Sequence, residues 1–146
     1  MYSNRWVLFG LALVAAIGLG IWGTFGASYG QAMDPKTELT TAYTHAGFAA
    51  KYDSLNEVTL HLHHVVNCLV GPNGDKFDSS AGNPCQGQGN GALPDIKAKM
   101  GEDAAYVQVW WAATIAEQGI MTNNLAQAKA AGHIVQVVLK DMQTMK

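Results

Sequence analysis

The segment SLNEVTLHLHHVVNCLV, residues 54–70, sets Leu55, Val58, Leu62, Val65 and Leu69 at alternating three- and four-residue steps. At 3.6 residues per turn those steps draw one apolar seam down one side of a helix. A one-sided seam has to be buried against another element, so the segment reads as one wall of a helical bundle.

Working outward, residues 35–52 carry a matching seam of Leu39, Ala42, Ala46 and Ala49. Beyond the opening segment, residues 71–95 read GPNGDKFDSSAGNPCQGQGNGALPD, with six Gly and three Pro. That density of breakers predicts a long Gly-rich loop without helix or strand. Two further helical patterns follow. One over 102–120 runs through Tyr106, Val109, Ala113, Ala116 and Ile120, and one over 122–142 through Leu125, Ala128, Gly132, Val135, Leu139 and Met142. The prediction is all-α: two helical hairpins closing a four-helix bundle over residues 34–146. Several seam positions are Ala or Gly, so either the helices approach closely or the aromatics Tyr43, Phe48, Tyr52, Trp110 and Trp111 fill the space.

The N-terminal region has a different character. From Trp6 to Ser28 no residue is charged, a run of 23 residues, long enough to cross a hydrocarbon core of about 30 Å. Arg5 precedes it and Asp34 follows it, so the positive-inside rule leaves the start of the chain in the cytoplasm. Residues 1–33 are therefore expected to be a transmembrane anchor, placing the bundle on the outer face, most simply in the periplasm of a bacterial inner membrane. A cleaved signal peptide is the alternative, with Gly30-Gln31-Ala32 as small residues at a processing site. Within the run, Ala12, Ala16, Gly20, Gly23 and Ala27 form a small-residue stripe of the kind that packs against a partner transmembrane helix.

Charged residues make up 14% of the chain and the net charge is −2, which leaves no basic field for nucleic acid. Cys68 and Cys85 are its two cysteines. In an oxidising compartment they are expected to form a disulfide that pins the loop; the alternative is a thiolate metal ligand at Cys68. Neither belongs to a C-x-x-C-H motif, which excludes a c-type haem and leaves noncovalent haem open.

Five histidines complete the chemistry-bearing set. His61 and His64 stand three apart on the helix over 54–70, so their imidazoles project from adjacent turns and can chelate one transition ion. His45, Met100, Met121 or Glu57 could complete the site. The alternative is that these are boundary histidines, bonded to backbone carbonyls or facing a partner. The Ala-rich helices with scattered histidines, TTAYTHAGFAA (40–50) and NNLAQAKAAGHIV (123–135), resemble small periplasmic four-helix metal-binding proteins. That resemblance implies copper or another divalent ion at His45, His61, His64 and His133.

Nucleophile motifs and phosphate-binding turns are absent from the sequence, and Glu102 and Asp103 suit a helix start, so no enzymatic activity is expected. Two functions remain. The first is a single-span accessory subunit of a larger membrane complex, supported by the membrane stripe and by Trp110 and Trp111, which cannot both face one seam. The second is a tethered binder of copper, zinc or noncovalent haem, for metal delivery or electron transfer.

Overall fold

The structure, a computed structural model, describes residues 34–143. The expected anchor over 1–33, with its stripe Ala12, Ala16, Gly20, Gly23 and Ala27, lies outside the described residues. Among the described residues no helix is long and apolar enough to cross a membrane.

The described chain is all-helical, with α1 (Lys36–Lys51), α2 (Leu55–Val70), α3 (Ala92–Met100), α4 (Ala104–Met121) and α5 (Leu125–Met142). The four long helices form a ring in the order α1, α2, α4, α5, and α3 closes the end where α1 begins. The seams meet inside. Leu39, Val58, Leu62, Val65, Leu69, Val109, Val135 and Leu139 are fully buried, while Leu55, Tyr106, Ile120 and Leu125 lie at the margins.

Polar residues end the helices where the seams end. The Asp103 carboxylate accepts from the Ala105 and Tyr106 amides and so starts α4, and the Asn124 side chain accepts from the Gln127 amide at the start of α5. These caps place both starts two to three residues later than the apolar pattern alone implies.

Residues 71–95 are not wholly irregular. The last four open α3, and Ser79–Ala81 makes one 3-10 turn. Pro94 is tolerated because it stands in the first turn of α3, where an amide has no intrahelical partner to lose. Gly91, at φ +113°, makes the turn into α3; a Cβ there would fall 2.5 Å from the Gly71 nitrogen.

The small seam residues let the helices approach closely. A Cβ on Gly132 would stand 2.8 Å from Ala49 Cβ, and one on Gly119 would stand 2.6 Å from Ala131 Cβ. Phe48, Tyr52, Trp110 and Trp111 do not fill the interior: they are all exposed. Among the five aromatics expected to fill the space, Tyr43 alone packs against the core.

Two carboxyl groups are buried near α3. Glu38 accepts from the Gly91 amide at 2.7 Å, and Asp95 accepts from the Asn90 amide at 3.1 Å and its side chain at 2.8 Å. These bonds tie α1 and α3 to the end of the loop.

Candidate metal centre

One flank of α2 carries His61, His64, Asn67 and Cys68, the histidines half-buried and Asn67 and Cys68 buried. Each meets something different. Cys68 is disulfide-bonded to Cys85, with Cα atoms 5.2 Å apart and a separation of 17 positions in sequence. The bond uses both cysteines, which rules out a thiolate ligand at Cys68. Asn67 is buried and makes three hydrogen bonds to the loop. Its amide nitrogen donates to the Asp78 and Gly82 carbonyls, both at 2.7 Å, and its oxygen accepts from the Asp78 amide at 2.8 Å.

That clasp brackets Ala81, whose carbonyl lies 2.7 Å from His64 Nε2. A carbonyl can only accept, so Nε2 carries the proton and the Nδ1 lone pair of His64 points the other way. There it meets His45. His45 Nδ1 stands 3.3 Å from His64 Nδ1 and 2.9 Å from His61 Nδ1, and the three ring nitrogens lie within 4.8 Å of one another. With metal–nitrogen bonds of about 2.0–2.1 Å, the edge of a tetrahedral site is about 3.3–3.4 Å. The His45–His64 spacing already matches that edge, and the His45–His61 pair needs to open by a few tenths of an ångström.

His45 reaches the cluster from α1, sixteen positions before His61, because the α1–α2 hairpin brings the two helix flanks together. Aromatic rings hold the imidazoles. Tyr52 stacks on His61 with centroids 5.1 Å apart and planes at 16°, and Phe48 meets His45 edge-on at 5.7 Å. Partial burial lowers the His45 pKa to about 4, helped by the neighbouring His64 and His61. Burial is also the main cause that lowers His61; His64 adds to it and Glu57 opposes it. Both rings are thus held neutral, the state in which imidazole binds a metal.

The remaining histidines are elsewhere. His133 is exposed on α5 and does not join the cluster, although the resemblance to periplasmic metal binders implied it would. His63 lies on the other flank of α2, 3.3 Å from the Asp78 carboxylate, and helps hold the loop. Met100 and Met121 are exposed and end α3 and α4. Asn67 and the Ala81 carbonyl are the parts that sequence reasoning missed. A polar Asn three residues after His64 on an otherwise apolar stretch was the available signal for the first, and a backbone carbonyl leaves none.

Fold and site together define a disulfide-pinned helical bundle whose three converging histidines could form a metal site. No protein-family model, curated protein or solved structure matches the chain.

Proposed function

We propose that this protein binds a single transition-metal ion, copper(II) or zinc, through His45, His61 and His64, held at the outer face of a membrane by residues 6–28. The observation that carries the reading is the convergence of three Nδ1 atoms, with the tautomer of one fixed by a carbonyl that its own loop presents. Metal-ligating histidines characteristically donate their other ring proton to such a group. An all-imidazole set suits copper and zinc, and the remaining position is left for water or for a ligand on a partner that delivers or receives the ion. Haem fits less well. The rings already touch one another at centroid distances of 4.7–5.5 Å, which leaves no slot between them for a macrocycle.

The test is titration of copper(II) and zinc into the full chain in mild detergent, with copper bound state followed by electron paramagnetic resonance. One ion per chain with hyperfine structure from several nitrogens is expected. His61→Ala with His64→Ala should lower affinity at least about tenfold, the scale of losing ligands or their supports, while His133→Ala should leave it unchanged. An unaltered affinity in the double variant would remove these histidines from the site and favour the accessory-subunit reading.

A further inference from the structure

The face opposite the histidines has its own composition. In the ring of helices, α1 and α2 present the imidazoles, and α4 and α5 form the far wall. Along that wall, residues 104–116 contain no Asp, Glu, Lys or Arg, and neither do residues 130–139. Val107, Trp110, Trp111, Ile134 and Val137 are nonetheless 45–54% exposed. The two indole rings touch, with centroids 5.0 Å apart, and Trp111 lines a shallow depression between the helices with Gln108, Val137, Val138 and, at its edge, the carboxylate-bearing Asp141. Isolated exposed hydrophobics are ordinary on a protein surface, but a strip led by two tryptophans, with Asp141 as the one charge in the depression beside them, is not.

The place of the strip indicates what covers it. Asp34 and Lys99 stand 3.9 Å apart, so the described chain begins beside the end of α3, and Lys97 lies over the Tyr106 ring at the start of α4. Val107, Trp110 and Trp111 occupy the first half of α4, the half nearest that entry point. The uncharged run ends at Ser28, eight positions before α1. Eight residues span at most about 28 Å, close to the length of the long helices, about 24–27 Å. If the run crosses a membrane, the bundle cannot leave the bilayer surface by more than its own length.

We infer that the α4–α5 wall rests on the lipid surface, with Trp110 and Trp111 at the boundary between headgroups and hydrocarbon. The inference rests on the tether in the proposed function. Tryptophan is suited to this boundary because its ring is apolar and its N–H polar. The strip lacks a basic cluster, so the contact is with the neutral lipid interface and does not require anionic headgroups. Seated this way, the bundle turns His45, His61 and His64 away from the bilayer.

The experiment uses the full chain with Trp6→Phe and Trp22→Phe, which leaves Trp110 and Trp111 as the emitters, reconstituted into phosphatidylcholine vesicles. Flotation establishes the tether. The emission should then be blue-shifted, lose most of its intensity when the lipid chains are brominated near the headgroups, and resist iodide added to the water. Emission that iodide quenches and brominated lipid does not would overturn the inference while leaving the tether intact. Emission shielded from both would also overturn it, because the strip would then be covered by protein. A chain that fails to float with the vesicles would refute the tether and the lipid contact together. As a second variant in the unmodified background, Trp110→Ser with Trp111→Ser removes only the lipid contact. It should leave flotation and copper binding unchanged and raise the access of proteases to the α4–α5 wall; unchanged access would count against the seat.

Discussion

At Glu38 a carboxyl group sits where water does not reach. Burial is the main cause that raises its pKa to about 7; the Asp95 charge and the hydrogen bond to Asp95 add to this, and the Gly91 amide opposes it. Glu38 Oε2 has no donor in reach, so an ionised Glu38 would be a buried charge half unsatisfied. Protonated, it can donate to Asp95. The folded protein therefore keeps a proton that the unfolded chain loses near pH 4.5, and this contribution to stability falls as pH rises from about 4.5 through 7. The difference amounts to about 3 kcal/mol. His45 acts in the opposite sense. Its folded pKa of about 4 lies below the unfolded 6.5, so its contribution is present above 6.5 and is lost as pH falls through 4. Between about pH 4.5 and 6.5 the two opposing slopes largely cancel, so Glu38→Gln should uncover a stability that rises with pH over that range, as read from urea midpoints between pH 4 and 8. A curve that keeps the same slope above pH 5 would show that Glu38 is not the group responsible. Nothing in the sequence marks Glu38 as unusual, since it looks like an acid in the first turn of a helix; its burial depends on α3 arriving from more than fifty positions away.

The helices themselves were legible because each writes its core side as a period, and the seams over 35–52, 54–70, 102–120 and 122–142 correspond to α1, α2, α4 and α5. The short helix α3 was hidden by its own start. Its first turn contains Pro94 and follows Gly87, Gly89 and Gly91, a local composition that disfavours helix until the turn geometry and the burial of Leu93 and Ile96 outweigh it. The histidine set was half legible for a related reason. Spacing within one helix pairs His61 with His64, but which outside residue faces them is a property of the hairpin, and it selects His45 over His133. The close approach of α1 and α5 is a testable feature of the same kind. Gly132→Val would press its side chain against Ala49 Cβ and, at 3.1 Å, the Ala46 carbonyl. It should cost about 1–3 kcal/mol and lower the melting temperature. Gly101→Ala is the comparison: no atom lies near its Cβ, but its φ of +79° also disfavours a side chain, so its cost should come from backbone strain alone.

For the whole molecule, binding at the three histidines should be visible as stability. An ion that binds the folded chain at a hundred times its dissociation constant adds about 2.7 kcal/mol. Copper(II) or zinc should therefore raise the melting temperature, a chelator should return it to the metal-free value, and the variant lacking His61 and His64 should show no rise. The same loop that presents the Ala81 carbonyl is closed on itself by the Cys68–Cys85 bond, so residues 68–85 form a covalent ring. A cut inside that ring opens the chain without dividing the molecule. Lys76 is exposed within it, and limited trypsin cleavage there should give a product that runs as one band on a non-reducing gel and as two pieces, residues 1–76 and 77–146, once a thiol is added. With Asn67 still gripping Asp78 and Gly82 downstream of the cut, the nicked protein should keep its metal. Its ends could then carry a label or an inserted sequence beside the metal site, on a scaffold that stays joined.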